Sequence, residues 1–256
     1  MDRIREFYIP VFAYLDNQLP PATTAAAAPM IIGLSAPQGC GKTTLTDSLC
    51  EAFELSGRRC VSLSLDDFYL TGEEQDSLAA SKPDNELLQC RGNAGTHDMK
   101  LLKDTLTKLQ TAEAEEVVSV PRYDKSMRAG RGDRAPSEAW TKITGRPDVV
   151  LLEGWMLGFT PLQGPGGMGD PPAEEAQDIF QKYSSLVYTA VHHLVDSWVV
   201  LAVEDPRWVF EWRLQAEVAM RESGRPGMTD EQVVDFVSCY MPGYKAYLPQ
   251  LYRDGP

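Results

Sequence analysis

Residues 30–53 read MIIGLSAPQGCGKTTLTDSLCEAF, a short apolar run, a glycine-rich turn and a stretch with helical spacing at Leu45, Leu49 and Phe53. A strand that runs through such a turn into a helix is the setting a phosphate-binding loop requires. Successive backbone N–H groups from Ala36, Pro37, Gln38, Gly39, Cys40, Gly41, Lys42, Thr43 and Thr44 line that turn, proline excepted because it has no N–H. The helix start adds positive potential, Lys42 can reach the outer phosphates of a nucleoside triphosphate, and the Thr43 hydroxyl can ligate Mg2+. Ala36 stands where the usual G-x-x-x-x-G-K-[ST] pattern has its first glycine, but Gly39 and Gly41 keep the turn permissive.

Outward from this segment, strand and helix patterns alternate. Residues 60–65, 116–120, 148–152 and 197–203 read as further strands, and residues 98–109, 174–195, 206–221 and 230–240 as helices. Strands separated by helices imply a parallel sheet with right-handed crossovers. Residues 20–29 (PPATTAAAAP) and 163–175 (QGPGGMGDPPAEE) read as loops. Residues 1–19 mix acidic and basic residues into an apolar background and read as a helical part of the fold, not as a signal peptide.

Composition removes other classes of answer. The chain has 256 residues, enough to bury a full core, and a net charge of −13, which opposes binding along a nucleic-acid backbone. No run approaches the roughly 18 to 20 apolar residues of a membrane span. The five cysteines include no C-x-x-C pair, and the three histidines lack metal-ligand spacing. Cys40, inside the loop, reads as a small filler, with a reactive thiolate as the bolder alternative.

Three carboxylates and one basic segment supply the chemistry. The second strand ends in Asp66-Asp67-Phe68-Tyr69, and the C-terminal edge of a parallel sheet faces the ligand crevice. A carboxylate there can orient an acceptor hydroxyl and take its proton. The strand DVVLLEGW ends with Glu153 in the same relative place, suited to holding Mg2+. In PRYDKSMRAGRGDR (residues 121–134), Arg122, Lys125, Arg128, Arg131 and Arg134 face only Asp124 and Asp133. An anionic small molecule suits such a segment, because guanidinium forks bind carboxylates bidentately and Tyr123 can add a hydrogen bond.

These blocks, with RGNAGTHD, VVLLEGWMLGF, EWRLQAEVAMRE and GMTDEQVVDFVSCYMPGYKAYLPQLY, together resemble the D-glycerate 3-kinases of the plant and algal type from about residue 30 to the end. More distantly they are similar to pantothenate kinase, uridine kinase and phosphoribulokinase. The resemblance implies a three-layer α/β/α P-loop fold with a mainly parallel central sheet. It implies a kinase domain over residues 30–256, a helical lid around 206–228, and a segment 1–29 ahead of it. The implied reaction moves the γ-phosphoryl of ATP, with Mg2+, to the 3-hydroxyl of D-glycerate in photorespiratory salvage, in the chloroplast stroma or otherwise the cytoplasm. In this resemblance Asp66 is the base and, with Thr43 and Glu153, a candidate Mg2+ ligand, Asp67 is its alternative as base, and Asp67, Arg91, His97, Asp98, Arg122, Tyr123, Lys125, Arg131 and Tyr69 belong to the acceptor site. Arg213 and Arg221 belong to the lid. A monomer is expected, with neither nucleic acid nor membrane as partner. Kinases of another small alcohol, and a non-catalytic nucleotide switch, are the alternatives.

Overall fold

The computed structural model describes residues 3–20, 28–89, 91–160 and 191–256. Four parallel strands form the central sheet: β1 (Met30–Ser35), β2 (Cys60–Ser64), β7 (Val149–Gly154) and β8 (Ser197–Val200), in the order β2-β7-β1-β8. Apolar side chains alternate across it, as a period of two demands. Ile32, Leu34, Val149 and Leu151 face Leu45, Leu49 and Phe53 of helix α2 (Lys42–Leu55). Ile31, Leu63, Val150 and Leu152 belong to the opposite core, with Leu102, Leu106 and Leu109 of α4 (Met99–Thr111). Gly33 turns to that second side because a Cβ there would sit 2.5 Å from the Trp198 ring.

The described part of the N-terminal segment packs against α2. Its helix α1 (Ile9–Asp16) buries Leu15, packs Phe12 edge-on to Phe53 at 5.1 Å, and pairs Asp16 with Arg58 at 2.9 Å.

Two expectations change. Residues 116–120 do not join the parallel sheet: β3 (Val117–Val120) pairs antiparallel with β6 (Thr141–Thr144), and β4 (Tyr123–Asp124) with β5 (Asp133–Arg134). These hairpins carry the basic segment out over the sheet's C-terminal edge. The strand near 197 is half-buried beyond Ser197, because β8 is an edge strand. Between β2 and β3, residues without a clear apolar period form helix α3 (Gly72–Ser81), started by a capping box of Thr71 and Glu74. The C-terminal part holds α5 (Trp208–Glu222), α6 (Asp230–Ser238) and α7 (Met241–Asp254). The expected loop at 163–175 and most of the expected helix at 174–195 lie outside the described residues; at its end, His192–Leu194 form one 3-10 turn.

Candidate active site

The glycine-rich turn is built as its residue types require. Gly39 and Gly41 adopt φ of 79° and 98°, a left-handed backbone that a Cβ disfavours, and Gly41 caps the start of α2. Lys42 Nζ donates to the Pro37 carbonyl at 3.0 Å, and Cys40 Sγ to the same oxygen at 2.9 Å. Burial pushes the Cys40 thiol up despite the Lys42 charge, which corrects the reactive-thiolate alternative: Cys40 is a neutral donor that shapes the loop.

The adjacent aspartates separate into two roles. Asp66 accepts from Lys125 Nζ at 2.6 Å on one oxygen and from the Tyr69 hydroxyl at 2.7 Å on the other. Burial opposes its charge, yet Lys125 and Tyr69 together bring its pKa below the ordinary carboxylate value. Asp67 is buried and faces away, accepting from Arg122 Nη1 at 2.9 Å and from the Tyr123 backbone N–H at 3.0 Å. Burial raises its pKa in spite of these contacts. Asp67 therefore ties the hairpin to the turn that follows β2, while Asp66 engages Lys125 and Tyr69.

Glu153 lies in register with Leu34 and Ser64, between the two strands that lead into the loop and into Asp66. Burial raises its pKa, while the Lys42 charge and a Ser64 hydrogen bond counter that, and Asp66 and Lys125 are also within electrostatic reach. A hydroxyl at Thr43 and a carboxylate at Glu153 are the hard oxygen donors that Mg2+ favours, with phosphate oxygens and water completing six ligands. No cluster of three or more protein ligands exists among the described residues, and a nucleotide-bound Mg2+ needs none.

Much of the basic segment is occupied in holding itself. Arg128 and Arg131 both pair with Asp76 on α3, and Arg91 donates to the carbonyls of Gly130 and Arg131. Arg131 and Arg91 thus shape the loop. Asp98 is likewise structural: it caps α4 through the Leu101 N–H at 2.9 Å and pairs with Arg134 at 3.2 Å. Arg122 Nε donates to the Thr141 hydroxyl at 2.8 Å, which leaves Nη2 without a partner among the described residues. Tyr123 packs edge-on to Tyr69 at 5.1 Å under the Arg91 guanidinium.

His97 is buried, packs tilted against Tyr69 with ring centroids 4.7 Å apart, and has no hydrogen-bond partner on either ring nitrogen among the described residues. Burial brings its pKa down to about 4, with Asp66 opposing, and burial with the neighbouring His193 does the same to His192, also about 4. Both imidazoles are neutral when folded but titrate near 6.5 when unfolded. As pH falls below 6.5 the unfolded chain binds protons first, so stability is full above that value and is lost towards pH 4. Each histidine contributes roughly 3 kcal/mol to that loss at most. Denaturant midpoints are expected to hold between pH 7.5 and about 6.5 and to fall from there to pH 5, with a shallower slope in His97→Asn; a flat profile would contradict buried neutral rings.

Helix α5 approaches the loop directly, since a Cβ on Gly39 would lie 2.8 Å from Trp212 Cβ. On the same helix, Arg213 has Nη2 on the buried carboxylate of Glu217 at 2.5 Å and its guanidinium over the Phe236 ring at 4.9 Å. Arg221 joins α5 to α6 through the Met228 carbonyl at 2.5 Å and Asp230 at 2.7 Å. Residues the sequence reading passed over are Tyr240 at the N-cap of α7, Tyr244 within it and Trp155 after β7, which wall the loop and the Arg91–His97 turn. Their spacing of four on YMPGY marks one helix face but not what it faces.

With this geometry in place, the comparisons are specific. No protein-family model matches the chain. The chain is 46% identical over 261 residues to the chloroplastic D-glycerate 3-kinase of Arabidopsis thaliana, covering 99% of this chain and 56% of that protein. It thus spans little more than half of that relative's length. An uncharacterized kinase of Schizosaccharomyces pombe is 38% identical, covering 94% of this chain and 87% of its own. The solved D-glycerate 3-kinase of Cryptococcus neoformans superposes with a TM-score of 0.75 at 34% identity, covering 94% of this chain and 86% of that one. Identity and coverage at this level, over a glycine-rich loop, a β2-edge carboxylate and a helix α5 arranged as above, place the chain in the D-glycerate 3-kinase family of P-loop kinases.

Proposed function

We propose that this chain transfers the γ-phosphoryl group of Mg·ATP to the 3-hydroxyl of D-glycerate, giving 3-phospho-D-glycerate and ADP. The observation that carries the reading is Asp66, ionised and held by Lys125 and Tyr69 at the end of β2, beside a phosphate loop and Glu153. The names of the Arabidopsis and Cryptococcus relatives supply the acceptor.

In this mechanism the substrate hydroxyl oxygen attacks the γ-phosphorus, the bond to the β–γ bridging oxygen breaks, and ADP leaves. Asp66 orients the hydroxyl and receives its proton, while Lys125 keeps the carboxylate ionised until then. Lys42 and Arg213 offset charge on the transferred group. Bound Mg2+ supplies charge neutralisation on the phosphates, and Thr43 and Glu153 are the residues that would hold it. The outward Nη2 of Arg122 binds the glycerate carboxylate, and His97, neutral and without a partner, receives a substrate hydroxyl.

Arg122→Ala is expected to raise KM for D-glycerate about tenfold and KM for ATP less than twofold, since a charge-assisted hydrogen bond is lost on one substrate alone. Equal effects in steady-state kinetics would remove Arg122 from the acceptor site. The reaction itself is tested by ADP release with Mg·ATP and D-glycerate, L-glycerate, pantothenate, uridine or no acceptor, the product being identified by NMR. Stimulation by D-glycerate alone, with phosphate on the 3-oxygen, is expected. Stimulation by another acceptor overturns the substrate, and ATP binding without turnover favours a nucleotide switch. A stromal location is part of this proposal, supported by the chloroplastic relative, and a fluorescent fusion outside plastids would contradict it. Among the described residues no helix is long and apolar enough to cross a membrane.

A further inference from the structure

We infer that Tyr244, with Tyr240 beside it, is a positioning residue for the nucleotide loop, clasping Gln38 from the C-terminal helix α7. The Gln38 backbone N–H donates to Tyr244 Oη at 3.1 Å, across 206 positions of sequence. Tyr244 is fully buried, so without its hydroxyl the Gln38 amide loses its partner in a part-buried place, where desolvation is not recovered. One helical turn earlier, the Tyr240 hydroxyl takes up the Gln38 side chain and donates to the Arg91 carbonyl at 3.2 Å. Trp155 braces both rings edge-on, at 5.6 Å from Tyr240 and 5.1 Å from Tyr244, while its Nε1 holds the Gly92 carbonyl at 2.8 Å. Gly92 leaves no room for a side chain, because a Cβ would lie 2.6 Å from Tyr240 Oη.

The consequence is mechanical. Gln38 precedes the left-handed turn at Gly39, so fixing its amide sets the path along which the following N–H groups meet phosphates. Tyr240 fastens the same helix to the turn that begins at Arg91, so the nucleotide loop and the acceptor turn share one support. The kinase reading gives the clasp its purpose, but its test needs no acceptor.

Calorimetric titration of the full chain with Mg·ATP, without acceptor, is expected to show Tyr244→Phe binding about five- to twentyfold more weakly. Unchanged affinity with a lowered melting temperature would reduce Tyr244 to a packing residue and overturn the inference. Gln38→Ala and Tyr240→Phe are each expected to weaken binding severalfold, and the double variant no more than the weaker single; additive effects would separate the two residues. If Tyr244→Phe does not fold, hydrogen exchange at the Gln38 amide of the unaltered protein decides. At least hundredfold protection supports the clasp, and exchange at the free-peptide rate overturns it. Weakened nucleotide binding in these variants, alongside no turnover of D-glycerate, would leave the clasp standing and reject the proposed reaction.

Discussion

Asp66→Asn is expected to lower kcat with D-glycerate by about 10²- to 10⁴-fold while the affinity for Mg·ATP stays within a factor of two to three. Asparagine keeps the shape of the side chain and can still accept one hydrogen bond, so the Tyr69 hydroxyl retains a partner. What disappears is the charge that makes Asp66 a proton acceptor and the counter-charge to Lys125. Single-turnover kinetics would place the loss on the chemical step. A parallel loss of Mg·ATP binding would instead move Asp66 into the metal's coordination. Asp67→Asn is the informative contrast: its carboxylate is buried under Arg122 and the Tyr123 amide, so stability and the acceptor KM should suffer before kcat does.

That contrast also marks where the sequence stops being legible. The loop at Ala36–Thr44 could be read directly because its function depends on contiguous residues whose backbone types are visible in the letters. The three-layer order follows from the same source, since strands with alternating or continuous apolar residues and helices with four-residue spacing specify which faces meet. Asp66 and Asp67 are adjacent and chemically identical, and only the 3-10 turn after β2 and the hairpin that returns from residue 122 give them different partners, Lys125 and Tyr69 for one and Arg122 for the other. The basic segment misleads for a similar reason. Its positive charge looks uncommitted until α3 brings Asp76 against Arg128 and Arg131, about fifty residues away in sequence. Arg221 is a lid cation by resemblance alone, and the sequence does not show that Asp230 and the Met228 carbonyl lie just beyond the turn that α5 enters. Contacts of this kind depend on how elements dock, which local pattern does not encode.

Lys42→Met should cost roughly 10³-fold in kcat/KM for ATP, because it removes a charge aimed at the phosphates and leaves the aliphatic stem in place. The loop itself should survive. The one hydrogen bond that Lys42 Nζ makes is to the Pro37 carbonyl, and Cys40 Sγ donates to that same oxygen, so no buried acceptor is stranded. The loss should nevertheless extend beyond one missing contact. Lys42 is the largest charge opposing the burial that raises the Glu153 pKa, so without it Glu153 holds its proton to still higher pH. A protonated Glu153 is a poor ligand for Mg2+. The sign follows directly: in Lys42→Met the Mg2+ requirement should increase most at low pH and relax as pH rises. In the unaltered protein the same titration should be displaced to lower pH. Initial rates at several Mg2+ concentrations between pH 6 and 8.5 separate the two effects. A variant with reduced activity but an unchanged pH dependence of the Mg2+ requirement would show that Lys42 acts on the phosphates alone, and that Glu153 does not hold the metal.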